Sequence, residues 1–459
     1  MTTYPLDTRP FPDDFRWGVA TAAYQIEGGA REGGRGPSIW DTFVREGHTL
    51  NGDSGEIACD HFHRWRDDLD LMVELGIRNY RLSLSWARLQ PAGEGELNSE
   101  GVAFYTELLE GMRARGIAAM VTLYHWDLPQ PLEDAGGWPE RQTAYRFADY
   151  AARAVRALGH LATDWITINE PWCVSFLGYG NGAHAPGKAD PGLAVAAAHH
   201  VNLAHGLAVA EIRGIDPALR VGNSNIVTDI VPASDSAADA AAVVRLDAMS
   251  NRIFLDPVYL GDYSAAVREL FDPLGLGDLV ADGDLALIAQ PVDFVGMNHY
   301  QRVLAWHLDD DSYLRVGERP AEPATTSFGW SVVPESLGAV LRRVARDFTS
   351  LPVYITENGA SYHDYVDPDG RVNDPDRVAY LAGYLAAAGE AIADGVDLRG
   401  YYAWSFLDNF EWAEGYSKRF GLVYVDYRTQ TRIPKKSAHW YAQQIALHRT
   451  AVRAPAASV

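Results

Sequence analysis

The feature that most restricts how this chain can fold is a repeated alternation. Short apolar or β-branched runs recur between longer stretches rich in Ala, Leu and Arg. Eight such runs stand out: FRWGVATA at 15–22, IRNYRLSLSW at 77–86, IAAMVTLYHW at 117–126, DWITINE at 164–170, LRVGNSNIV at 219–227, VDFVGMNHY at 292–300, PVYITENG at 352–359 and LRGYYAWSF at 398–406. Apolar or β-branched strand-like runs alternating with helical segments are what a parallel sheet covered by helices requires. The stretches Arg141 to Leu158 and Pro375 to Ala393 carry the Ala-rich, 3.6-residue patterning of helices that pack on such a sheet. Eight units predict an α/β fold of the (β/α)8 TIM-barrel type. A doubly wound open sheet is the alternative, but no GxGxxG follows the first strand to cradle a dinucleotide.

The 459 residues exceed the usual domain size, yet barrels of this kind run long as single units. No linker or break in composition divides the chain, so residues 1–459 are read as one domain with its active site at the C-terminal ends of the strands. Gly-rich residues 28–40 read as a long loop over one barrel end, and a similar loop is expected around 307–330.

With 61 acidic against 39 basic residues the formal charge is -22, which repels nucleic-acid phosphates and anionic lipid headgroups. Neither nucleic acid nor membrane is expected as a partner, and no apolar run reads as membrane-spanning. Only Cys59 and Cys173 are present, far apart, and no basic n-region leads into an apolar run. A reducing, cytoplasmic setting is the expectation, and a homo-oligomer is left open. Lysine occurs only at 188, 418, 435 and 436, which makes Lys418 conspicuous.

Polar residues gather where the predicted strands end. Gln25, Arg81, His125 with Trp126, Asn169 with Glu170, Asn298 with Tyr300, Glu357 with Asn358, and Trp404 would converge at one end of a barrel. A single Glu at a strand end reads as a cap partner or an ion pair. Two of them, each beside an Asn, suit chemistry that needs a carboxyl pair. His199, His200 and His205 share a helical stretch without an HExxH pattern, and Cys59, His61 and His63 open another helix; both groups read as packing, and no metal is expected. Cys173 likewise reads as packing.

Six motifs make the resemblance specific: TINEP, ITENG, AYQIEG, LYHWDLP, YRLSLSW and WSFLDNFEW, in order along nearly the whole chain. Together they resemble the family 1 glycoside hydrolases. The resemblance implies a cofactor-free retaining β-glycosidase in which Glu170 is the acid/base and Glu357 the nucleophile. It implies that Arg81 and Tyr300 contact the nucleophile and keep it ionised, and that Asn169 meets the sugar 2-hydroxyl. Gln25, His125 and Glu411 would bind other hydroxyls, Trp404 and Trp412 would floor the sugar site, and Trp126, Asn298 and Phe420 would complete it. Trp330 falls where the family places an aromatic platform for the leaving group. A general acid working at neutral pH needs a raised pKa, expected here at roughly 6 to 7 for Glu170.

The expected substrate is a small β-glucoside or cello-oligosaccharide with a terminal β-glucosyl residue, with β-fucosides and β-galactosides alongside. The alternatives are a 6-phospho-β-glycosidase, a transglycosylating β-glycosidase and a silent sugar-binding barrel. The family's phospho-β-glycosidases use a small residue, a Lys and a Tyr at spacings of seven and nine, where this chain has Glu411, Lys418 and Phe420. A carboxylate at the first place repels phosphate. An aryl β-glucoside is therefore expected to turn over and its 6-phosphate to remain intact, as release of the aryl group will report.

Overall fold

The computed structural model describes residues 6–8 and 10–453. Eight parallel strands form the centre: β1 (Arg16–Ala20), β2 (Asn79–Ser83), β3 (Ala118–Tyr124), β4 (Asp164–Asn169), β5 (Arg220–Ile226), β6 (Phe294–Asn298), β7 (Val353–Asn358) and β8 (Leu398–Trp404). Each strand pairs with the next in sequence, and β8 pairs back onto β1 from Arg16↔Gly400 to Ala20↔Trp404, closing a barrel. The eight strands fall inside the eight apolar runs. The (β/α)8 architecture is thus present, and it leaves no open edge in the central sheet.

Helices follow the strands on the outside. They include α1 (His61–Glu74), α2 (Ser99–Ala114), α3 (Gln142–Leu158), α4 (Pro191–Ile215), α5 (Ala237–Asp247), α6 (Glu335–Asp347), α7 (Pro375–Ala393) and α8 (Lys436–Arg453). In α3 the buried positions Ala144, Phe147, Ala151, Val155 and Leu158 recur at three- and four-residue spacing, so one stripe faces the sheet. Helix α4 starts where Asp190 accepts hydrogen bonds from the backbone N–H groups of Gly192 and Leu193, with Pro191 in the first turn. The same helix corrects one expectation. By length and composition α4 could cross a membrane, but 83% of its apolar window is buried in the protein. Its apolarity comes from being packed on several sides.

The region around 307–330 also departs from a plain loop. Strand 316–320 pairs antiparallel with strand 302–307, which in turn pairs with 229–232. This small sheet stands beside the rim and borders the site described below.

The barrel interior is layered. At the N-terminal end Asp164 accepts hydrogen bonds from Arg16 Nη1 and Arg220 Nε, each at 2.6 Å. Above it Met120, Ile166, Phe294, Tyr354 and Tyr402 form an apolar plug. The polar residues with no place in that plug lie above it, at the C-terminal end. Asp164 lies at the opposite end from them, so its replacement separates stability from function. Asp164→Ala leaves two guanidinium groups facing each other, and should cost about 3 kcal/mol, the low end for a broken buried pair because both arginines reach solvent. Chemical denaturation should show a lower midpoint, with KM little changed.

Candidate active site

Most of the polar residues singled out from the sequence meet at the C-terminal end of the barrel. Arg81 comes from β2, Asn169 and Asn298 end β4 and β6, Glu357 lies in β7 and Trp404 ends β8. Glu170 and His125 follow β4 and β3 directly, and Gln25 sits in a short helix after β1.

Two local irregularities aim the glutamates. The register of β4 against β5 shifts between Ile166 and Asn169, and that of β7 against β6 shifts between Ile355 and Glu357. Such shifts turn a strand and redirect its side chains. Glu170 adopts a left-handed φ of 44°, while its N–H still bonds Ser224 O at 2.7 Å. The glycine of ITENG has an equally local cause. A Cβ on Gly359 would lie 1.8 Å from the Trp404 carbonyl oxygen, so only glycine lets β7 and β8 end this close together.

Arg81 is the hub of the hydrogen bonding. Its Nη1 pairs with Glu357 Oε1, and Nη1 also donates to Thr356 O at 3.1 Å. The other Glu357 oxygen, Oε2, accepts from the Tyr300 hydroxyl at 2.7 Å. Arg81 Nη2 donates to Asn169 Oδ1 at 2.6 Å. A guanidinium can only donate, so the Asn169 atom it meets is the oxygen. Asn298 reaches that same oxygen at 3.0 Å and must therefore present its nitrogen, which also donates to Glu170 Oε1 at 2.7 Å. Ser224 and Thr356 hydroxyls hold Asn298 Oδ1 from behind, at 2.9 and 2.7 Å. The Asn169 nitrogen then faces His125 Nε2 at 3.2 Å, leaving Nδ1 as the protonated nitrogen of a neutral ring. Burial first, and Arg81 second, hold His125 well below its usual pKa, in agreement with that neutral form. Among the described residues His125 Nδ1 has no partner, and neither does Gln25 Oε1.

The carboxyl groups Glu170, Glu357 and Glu411 all border one cavity of about 450 Å³. Burial, followed by the negative charge of Glu357, pushes Glu170 up to about 8. Glu411 is pushed up to about 8 by burial and then by Glu357 and Glu170, while Gln25 Nε2 reaches its Oε2 at 3.4 Å. The direction expected for Glu170 is thus present.

His125, Trp126, Tyr300, Trp330, Trp404, Trp412 and Phe420 also line the cavity. Arg81, Asn169, Asn298 and Gln25 are buried and hydrogen-bonded to the lining residues Glu357, His125, Glu170 and Glu411 respectively. Trp330 lies stacked on Phe328, with ring centroids 4.2 Å apart, at the outer part of the cavity. Lys418 is held beside the cavity: its Nζ donates to Ser327 O at 2.9 Å, lies over the Phe328 ring and pairs with Glu414 at 3.6 Å.

Sequence reasoning overlooked several participants. Cys173, read as packing, donates its thiol to Glu170 Oε2 at 3.3 Å and lines the cavity. Phe328 lies two residues before Trp330 in SFGW, and an aromatic pair was a readable signal there. Met249 and Glu318 also line the cavity, but nothing in their local sequence points to it. The histidines of α4 are engaged in packing: His199 with Tyr263 and Asp284, His200 with Trp138 O, and His205 with Thr167. Among the described residues no group of three or more potential ligands is placed to hold a metal ion.

A carboxyl group that keeps its proton at neutral pH, beside a second carboxyl group bonded by Arg and Tyr, in a cavity walled by tryptophans, can both protonate and attack across a sugar's glycosidic bond. Fold and site together define a barrel enzyme of the glycoside hydrolase class.

The comparisons narrow the class. Residues 7–450 match Glycosyl hydrolase family 1. The chain is 44% identical to the bifunctional β-D-glucosidase/β-D-fucosidase of Bifidobacterium breve, over 96% of this chain and 99% of that protein. It superposes on the psychrophilic β-glucosidase BglU of Micrococcus antarcticus with a TM-score of 0.93 at 44% identity, covering 97% and 99% of the two chains. It is similar to the β-glucosidase of Thermotoga maritima solved with deoxynojirimycin, with a TM-score of 0.93 at 42% identity and 95% and 99% covered. The chain belongs to glycosyl hydrolase family 1.

Because a like charge raises a carboxyl pKa, removing it must lower that pKa. Glu357→Gln should move the Glu170 titration down from about 8 toward the ordinary range. Carboxyl-labelled glutamate followed by ¹³C NMR across pH 4 to about 10 will read the shift.

Proposed function

We propose that the protein is a retaining exo-β-glucosidase in which Glu357 is the nucleophile and Glu170 the acid/base. The observation that carries this reading is the unequal wiring of two carboxyl groups in one cavity. Glu357 takes donors on both oxygens, from Arg81 and Tyr300. Burial and the charge of Glu357 instead favour the protonated form of Glu170.

In the first step a Glu357 oxygen bonds to the anomeric carbon as the carbon–oxygen bond to the aglycone breaks. Glu170 gives its proton to the departing oxygen, so an alcohol leaves rather than an alkoxide. The covalent glycosyl ester carries no charge on Glu357. The main like-charge contribution to the raised Glu170 pKa is then gone, and Glu170, now a carboxylate, takes a proton from water as that water attacks the anomeric carbon and the ester bond to Glu357 breaks, which frees the Glu357 carboxylate and leaves Glu170 protonated again. Two inversions give net retention. Retention calls for the carboxyl groups to lie about 5 to 5.5 Å apart, close enough for direct attack.

Asn169, bonded to both Arg81 and Asn298, is suited to meet the sugar 2-hydroxyl where transition-state charge develops. His125 and Glu411 on the cavity wall, and Gln25 beside Glu411 with an unpartnered Oε1 among the described residues, offer donors and acceptors to the other hydroxyls, with Trp404 and Trp412 as apolar floor. Glu411 supplies a carboxyl group rather than a cation at the sugar site, and Lys418 is engaged by Ser327 O and Glu414, which together favour an unphosphorylated sugar. The bifunctional Bifidobacterium relative supports β-fucosides as second substrates. Small β-glucosides and cello-oligosaccharides are the natural candidates, with Trp330 and Phe328 facing the leaving group. Both cysteines are buried and free, which suits a reducing cytoplasm.

Glu357→Ala should lower hydrolysis of a nitrophenyl β-glucoside by about four orders of magnitude or more. Azide, small enough for the space left, should restore turnover and yield the α-glucosyl azide. Wild-type-like hydrolysis by Glu357→Ala, or a β-configured azide product, would overturn the assignment.

A further inference from the structure

The hydrogen bonds around Glu170 decide which of its two oxygens carries the proton. Arg81 forces Asn169 Oδ1 toward itself, Asn169 forces the Asn298 nitrogen toward the same oxygen, and that nitrogen donates to Glu170 Oε1. Of the two oxygens, Oε1 accepts the stronger bond, from an amide nitrogen at 2.7 Å, while Oε2 accepts only from a weakly donating thiol, so Oε1 is the better placed to be the carbonyl oxygen of the neutral acid. The acidic proton therefore sits on Oε2. The group beside Oε2 is the thiol of Cys173, at 3.3 Å, on the first turn after Glu170 and on the cavity wall. Burial and the neighbouring Glu170 hold that thiol well above its usual pKa, so it stays S–H throughout.

We infer that Cys173 is a positioning residue for proton transfer: it holds the proton-bearing oxygen of Glu170 in place, through a bond weak enough to be given up when that oxygen turns to the aglycone. This rests on the assignment of Glu170 as acid/base. A thiol is a poor donor. It steadies Oε2 in the ground state without stabilising the carboxylate so far that the acid is weakened. A hydroxyl at the same place would donate strongly, favour the carboxylate and lower the pKa of Glu170. A methyl group would donate nothing and raise it. The other charged or titratable groups facing Glu170 are Glu357, Arg81, Tyr300 and Glu411, and none of them changes in these substitutions.

The test uses the full-length enzyme and the variants Cys173→Ser and Cys173→Ala, with Glu170→Gln as control. kcat/KM is measured across pH for a dinitrophenyl β-glucoside, whose leaving group needs no proton, and for an alkyl β-glucoside, whose leaving group does. The alkaline limb should fall in the order Ala above Cys above Ser, with neighbours about half a pH unit apart. Cys173→Ser should lose about five- to tenfold on the alkyl glucoside and less than about twofold on the dinitrophenyl one. Coincident alkaline limbs in all three enzymes, or equal losses on both substrates, would show that Cys173 only fills space. The control keeps the two assignments apart. Glu170→Gln should lose far more on the alkyl than on the dinitrophenyl substrate. If it does not, Glu170 is not the acid and the role of Cys173 falls with it.

Discussion

The site depends on one buried guanidinium. Arg81 has almost no contact with solvent and pairs with Glu357, which is buried as well. A charge in that position is tolerable only when it is paired and hydrogen-bonded, and Arg81 is both. Its second consequence follows from its being donor-only. Because it cannot accept, it settles which way Asn169 faces, and through Asn169 the orientation of Asn298 and the tautomer of His125. A lysine would supply the same charge without the fixed fork that reaches Glu357 and Asn169 together.

The electrostatics follow from unequal numbers. Of the carboxyl groups that border the cavity, three interact with one another, Glu170, Glu357 and Glu411, while Arg81 is bonded to Glu357 alone among them. The other two, Glu170 and Glu411, are buried beside the first and are pushed toward their neutral forms. Desolvation and like charge act in the same direction there, and both favour the protonated form of Glu170 and Glu411. The cavity wall then combines acceptors, donors and aromatic faces.

The barrel makes this arrangement possible by dividing its interior. The Arg16–Asp164–Arg220 cluster and the apolar layer of Met120, Ile166, Phe294, Tyr354 and Tyr402 fill the lower part. Polar side chains accumulate at the upper end, and register shifts in β4 and β7 bring the glutamates round to face one another's cavity. Outside the barrel, the small sheet that includes strand 316–320 adds part of the outer wall through Val303 and Glu318.

The sequence by itself determined the architecture and the main residues of the site. Eight short, mostly apolar runs suit strands buried on both faces, and helical periodicity between them makes a parallel barrel the consistent fold. The motifs at the strand ends named the glutamates, asparagines, Arg81 and the tryptophans, since a closed barrel must bring strand ends together. Tertiary structure alone decided the rest. That Cys173 meets Glu170 depends on the turn after β4, and that Asn298 is held by Ser224 and Thr356 depends on the register of three strands. Burial of α4 and the position of Glu318 on a sheet formed by distant segments have no local signature. Periodicity reports which face of an element is covered, but which residue covers it, and which atom it offers, is set by chain segments far away in sequence.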